Sequence, residues 1–200
     1  MSPSDTSNPP HLLLVDDDRL VISTLTLGLQ RAGYRINSAE SAEEAQALLS
    51  SGERPDLVIL DIRMPGQDGL TLAQRLHELD HIPFMMFSAY SDQSMVDQAT
   101  RSGALGYLVK PLDMPQMVPA IDAALARANE LQDLRARRQQ LQAALDSERD
   151  ISIAVGITMV QHRLQRGEAF ELLRREARNR RCKLADLAID IIQPTENLKP

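Results

Sequence analysis

DLVILDIRMPGQDGL, residues 56–70, is the stretch that decides the fold. Its apolar run is short and unbroken, as in a strand buried on both faces, and it ends on an acid, Asp61. An amphipathic segment with helical spacing follows over about 68–79. Working outward, the same unit recurs: HLLLV (11–15) precedes 19–31, YRINS (34–38) precedes 41–50, IPFMMFS (82–88) precedes 92–102, and GYLVK (106–110) precedes a helix from about 114. Five strand-and-helix units predict an α/β domain with a doubly wound, five-stranded parallel sheet covered on both faces.

Ligand sites in such sheets lie beyond the carboxyl ends of the strands. Here the first strand runs into Asp16, Asp17 and Asp18, the third into Asp61, the fourth into Ser88 and the fifth into Lys110. Carboxylates converging from two strands repel one another unless a hard cation lies between them, and Mg²⁺ favours oxygen ligands of this kind. A lysine and a hydroxyl facing the same crevice complete a site for a phosphoryl group.

Composition bounds the rest. Two hundred residues, 43% of them apolar, bury one full domain and a small appendage. The single Cys182 can form no internal disulfide, and no run of about 18 apolar residues predicts a membrane span. The chain is expected to be cytoplasmic and without membrane contact, with residues 1–10, MSPSDTSNPP, as a disordered lead-in. The net charge of −6 divides unevenly: residues 1–148 carry −9 and residues 149–200 carry +3. Arg174, Arg175, Arg178, Arg180, Arg181 and Lys183 crowd around the single acid Glu176, which predicts an anionic partner for that tip.

LLLVDDD, DLVILDIRMPGQDGL, MMFSAY and GALGYLVKP together resemble the receiver domain of two-component response regulators, over about residues 11–126. The resemblance implies that Asp61 is the phosphoacceptor. It also implies that Asp17, Asp61 and the backbone carbonyl of Arg63 bind Mg²⁺ directly, with Asp16 acting through water. Lys110 and Ser88 would then contact the phosphoryl oxygens, Tyr107 would be the switch aromatic, and a sensor histidine kinase would be the phosphoryl source. Arg63 and Tyr90 fall where receivers tune access of hydrolytic water, and Asp18 is expected to be a solvated neighbour.

Beyond Pro119 there is no proline until Pro194, so the second half is expected to be helical. A continuous helix is predicted from about Ile121 to Asp146. Leu131, Leu134, Leu141 and Leu145 fall on a and d positions within it, which predicts a coiled-coil linker over 127–148 and a homodimer. Three further helices are expected at about 149–164, 168–179 and 183–192. In the second, Ala169, Phe170, Leu173 and Ala177 share an apolar face opposite Arg174 and Arg178; Phe170 is accordingly assigned to the core.

The segment IAVGITMVQHRLQRGEAFELLRREARNRRCKLADLAIDII resembles the ANTAR module of the AmiR and NasR antitermination regulators, placing that module at 149–194 with a tail at 195–200. The resemblance implies binding of leader-RNA hairpins, with Arg174, Arg175, Arg178, Arg181 and Lys183 as contacts. Two positions depart from the pattern: Val155 stands where lysine is usual, and Arg163 where glycine is usual. On charge alone, a DNA-binding helix-turn-helix output or a protein-interaction output also fits the basic tip.

Overall fold

The computed structural model describes residues 9–66, 69–89, 93–111 and 113–196. Two compact units are present, one ending at Gln132 and the other beginning at Asp133. The expected disordered lead-in falls largely outside the described residues, as do Tyr90 and the last four positions of the expected tail.

In the first unit, β1 (His11–Val15), β2 (Arg35–Ala39), β3 (Leu57–Leu60), β4 (Phe84–Ser88) and β5 (Tyr107–Val109) form one parallel sheet in the order β2-β1-β3-β4-β5. The order reverses at β1, so β1 and β3 lie side by side, with Val15 in register with Leu60. That register sets Asp16 and Asp61 next to each other at the same edge of the sheet.

Strand residues alternate between two cores. Leu13, Val15, Val58, Leu60, Phe84 and Met86 face α2 (Ala42–Ser50), α3 (Gly69–Arg75) and α4 (Gln93–Arg101). Leu12, Leu14, Leu57, Ile59, Met85 and Phe87 face α1 (Arg19–Arg31) and the start of α5 (Met114–His162). Burial on both sides is why these strands are apolar throughout.

Local chemistry fixes the helix ends. Asp18 caps α1, its carboxylate accepting from Leu20 N at 2.8 Å, so the expected solvated neighbour has a structural task. Ser41 caps α2 by accepting from Glu44 N at 3.1 Å. A π turn over Leu76–Asp80 continues α3 and ends at His81 with φ 53°, a feature not anticipated from the sequence. Tyr34 Oη donates to Asp122 Oδ1 at 2.5 Å and ties the approach to β2 to α5.

In the second unit, the end of α5 packs with α6 (Arg166–Arg180) and α7 (Leu184–Glu196) around Ala154, Val155, Ala169, Leu173, Ala177, Leu187 and Ala188. The expected break between a linker helix and a separate first helix at 149 is absent: α5 is unbroken for 49 residues. No proline or helix-ending glycine lies between Asp146 and Asp150, and polar side chains alone do not stop a helix.

Alpha-five ends where Arg163 adopts φ 53° and Leu164 N returns to Met159 O at 3.2 Å. The departure from glycine noted in the sequence therefore sits at a left-handed helix terminus, where a side chain costs about 1–2 kcal/mol. Val155 is only 6% exposed in the core, so a lysine there would have to snorkel outward. No helix among the described residues is long and apolar enough to cross a membrane.

Candidate functional site

The carboxyl ends of β1, β3 and β5 bring Asp16, Asp17, Asp61 and Lys110 together. Among the described residues, Asp16, Asp17 and Asp61 offer carboxylate oxygens that all lie within 4.8 Å of one another. Asp16 is 1% exposed and Asp61 8%, whereas Asp17 faces solvent. Two buried carboxylates and one open one leave an oxygen-rich crevice with a mouth, a fit for a hard divalent cation that enters with its waters.

Lys110 Nζ donates to Asp16 Oδ2 at 2.5 Å and to Asp61 Oδ2 at 2.6 Å. Burial pushes the Asp16 carboxyl above its ordinary range, and the hydrogen bond from Lys110 only partly opposes that. Burial would depress the Lys110 ammonium, but the hydrogen bonds to Asp16 and Asp61 outweigh it and its pKa is raised. Lys110 thus acts as an internal counter-ion that offsets the repulsion between the two acids.

Backbone geometry holds the acids. Asp16 Oδ1 accepts from Asp18 N at 3.0 Å, and Asp61 Oδ1 accepts from Arg63 N at 3.1 Å. Each acid therefore keeps one oxygen on the backbone and one on Lys110. Gly69 is required behind Asp61: a Cβ there would meet the Asp61 carbonyl oxygen at 2.2 Å. Ser88 is fully buried at the end of β4, where its carbonyl accepts from Lys110 N at 2.8 Å, so Ser88 and Lys110 are set side by side. Tyr107, half-buried at the start of β5, pairs in register with Met86 and packs against the α3–α4 core.

Two neighbours of the site escaped the sequence reading. Asp68-Gly69 is a dipeptide whose sequence signals a turn, but the close approach of Gly69 to the Asp61 carbonyl is visible only in three dimensions. Phe87 lies beneath Lys110, whose Nζ is 5.1 Å from the ring centroid, a cation–π distance. The strand pattern marked Phe87 only as core.

The basic tip is a separate constellation. Arg174, Arg175, Arg178, Arg181 and Lys183 are all exposed on α6 or just beyond it. Arg174 pairs with Glu171 at 3.2 Å and Arg180 with Glu176 at 2.8 Å, both on the surface, where such pairs contribute little. One assignment is corrected: Phe170 is 36% exposed and lies outside the packed core. The buried stripe is Ala169, Leu173 and Ala177, at spacings of four; Phe170 is one residue, about 100°, off it and shares its side with Arg174.

Comparison with known proteins supplies a second line. The profile of the response regulator receiver domain matches residues 12–122, and that of the ANTAR domain matches residues 139–192. The transcriptional regulatory protein PdtaR of Mycobacterium tuberculosis is 28% identical over 190 residues, covering 95% of this chain and 93% of the relative. The transcriptional regulatory protein AfsQ1 of Streptomyces coelicolor is 37% identical over 118 residues, 59% of this chain and 52% of that one. A solved signal receiver domain of an HD domain-containing protein from Pseudomonas fluorescens superposes with a TM-score of 0.58 at 28% identity, covering 62% of this chain and 99% of that one.

Proposed function

The chain belongs to the response regulator receiver family and ends in an ANTAR domain, and from that premise we propose that Asp61 accepts a phosphoryl group from a sensor histidine kinase and thereby controls RNA binding and transcription antitermination by the output unit. It is a regulator and not an enzyme with a released product of its own. The observation that carries the proposal is the meeting of Asp16, Asp17, Asp61 and Lys110 at the ends of three strands.

In this reading a carboxylate oxygen of Asp61 attacks phosphorus in line, the bond from phosphorus to the donor breaks, and an acyl phosphate remains. Asp17, Asp61 and the carbonyl of Arg63 would hold Mg²⁺ directly and Asp16 through water; the ion would offset the negative charge of the transferring group. Lys110 must exchange its 2.6 Å bond to Asp61 for one to the phosphoryl oxygens. That exchange leaves the lysine paired throughout, so it costs little.

Ser88 would gain a charge-assisted bond to the phosphoryl group, worth about 1.5–3 kcal/mol, while Lys110 trades one charged acceptor for another. That single gain falls short of the about 5.5 kcal/mol needed to invert a 1:99 equilibrium. Tyr107 would turn toward the space left by Ser88. Dimer formation adds the remaining bias: Leu131, Leu134, Leu141 and Leu145 are 38%, 55%, 64% and 53% exposed, a leucine seam that a second copy of α5 would cover.

RNA is favoured over duplex DNA as the anionic partner by the ANTAR match; the exposed arginines of α6 suit either polyanion. The phosphoryl half of the proposal is tested by mass spectrometry of the Mg²⁺-loaded protein after exposure to acetyl phosphate. A phosphoryl adduct labile to hydroxylamine is expected in the wild type and not in Asp61→Asn. An adduct that persists in Asp61→Asn would contradict the assignment.

A further inference from the structure

The output unit contains an open groove of about 750 Å³ whose apolar walls include Ile151, Val155, Phe170 and Leu184, with Glu148 and Arg166 among the polar residues lining it. Such a volume lies within the range of small-ligand sites. Phe170 is the feature that needs explanation, because a large ring left 36% exposed forgoes burial that the neighbouring core could have provided.

The ring is not surrounded by apolar surface. Arg166, Phe170, Arg174 and Arg178 follow one another at spacings of four on α6, so the aromatic sits inside a stripe of cations. The Arg174 guanidinium lies 5.9 Å from the Phe170 ring centroid, and Arg178 Nε donates to Arg174 O at 3.3 Å. An apolar helix laid into the groove would cover Phe170 but would press Arg166 and Arg174 against a surface that cannot satisfy them. A polynucleotide satisfies both, since its bases present flat faces and its backbone presents phosphates. Glu148 settles which part enters: its carboxylate repels phosphate but can accept from an exocyclic amino group.

We propose that this groove takes an unstacked base from an RNA loop, with the base face lying on Phe170, its edge toward Glu148, and its flanking phosphates on Arg166, Arg174 and Arg178. The proposal rests on the RNA-binding reading above and adds the place where sequence is read. A fully paired helix cannot supply such a base, so recognition is confined to loops and bulges.

The test uses the full-length protein and a two-hairpin RNA chosen by wild-type protein from a pool with randomised loop bases. Phe170→Leu is expected to bind about 5- to 150-fold more weakly, the loss associated with removing one base-stacking ring. Its salt dependence should be unchanged, because no phosphate contact is lost. Arg178→Ala should instead reduce the logarithmic salt slope by about 0.7.

The sequence contains no tryptophan, so F170W carries a unique fluorophore; it should retain affinity, and its emission should be quenched by the RNA and not by a fully paired duplex. Wild-type affinity in Phe170→Leu together with unaltered emission from F170W would overturn the proposal. Conversion of a dimer to a monomer by Phe170→Leu would also overturn it, by showing that a second copy fills the groove. If Phe170→Leu does not fold, the emission of F170W decides. A wild-type protein that retains no RNA from the pool would remove the RNA reading and this inference together, whereas RNA binding insensitive to residue 170 would remove this inference alone.

Discussion

In the acidic crevice, side chains as far apart as Asp16 and Lys110, 94 positions in sequence, meet at 2.5 Å; on the basic stripe, neighbours four residues apart are set in line by a single helix. The first arrangement exists only when the sheet is registered correctly, and each member is held by the others. The second needs no more than helical order, and its members are exposed and nearly independent. Chemistry at a bond demands the first kind of site, because positioning and dry electrostatics supply the rate. Affinity for a polyanion is served by the second, because it accumulates contact by contact and remains adjustable by salt.

That contrast predicts large, all-or-none effects at one end and graded effects at the other. The largest expected effect is at Lys110. Lys110→Ala removes the counter-ion shared by Asp16 and Asp61 and, with it, the cation proposed to meet the phosphoryl oxygens. Adduct formation with acetyl phosphate should slow by about 10²-fold or more while the protein stays folded, as read by time-resolved mass spectrometry and circular dichroism. A loss of only a few-fold would mean that the crevice is as loosely coupled as the stripe.

Next in size is the pair Arg174→Ala and Arg178→Ala. Together they should lower RNA affinity on the order of tenfold and reduce the logarithmic salt slope by about 1.4, two phosphate contacts in single-stranded RNA. Each single change should give about half of the slope. Complete loss of binding from one of them would show that the stripe is as cooperative as the crevice.

A smaller effect is expected where Tyr34 grips Asp122 across the receiver fold. Burial, reinforced by the hydrogen bond to Asp122, raises the Tyr34 pKa above its ordinary value of about 10. The folded state therefore holds the proton after the unfolded chain has lost it, so stability is present below about pH 10 and falls as pH rises beyond that. Tyr34→Phe should cost about 1–2 kcal/mol at pH 7 in urea unfolding and should lack this component of the alkaline decline. The smallest effect is at Arg163, where glycine relieves the left-handed residue but loosens the unfolded chain. Arg163→Gly should stabilise the output unit by about 0.5–1 kcal/mol in the same measurement.

The same contrast explains what the sequence disclosed. The strands and their order of appearance were legible because parallel strands buried on both faces leave unbroken apolar runs, and the acids stood out because each closes such a run. Asp16, Asp17, Asp61 and Lys110 meet as their strand-end positions foretold. Side chains that act through space without a periodic signal were not legible: Phe87 under Lys110, Gly69 against the Asp61 carbonyl, and the bond from Tyr34 to Asp122. The helical face of Phe170 was misjudged because 169 and 170 are adjacent, and adjacent residues on a helix point about 100° apart. The unbroken α5 was not legible because the polar stretch from Asp146 to Asp150 interrupts the apolar spacing without supplying a proline or glycine that would end a helix.

Control of the basic tip by a phosphoryl group on Asp61 is decided by one titration. The selected two-hairpin RNA is titrated with Mg²⁺-loaded wild-type protein and with Asp61→Ala, each with and without acetyl phosphate. The phosphodonor should tighten binding of the wild type and leave Asp61→Ala unchanged. Equal RNA affinity in all four conditions would contradict that control.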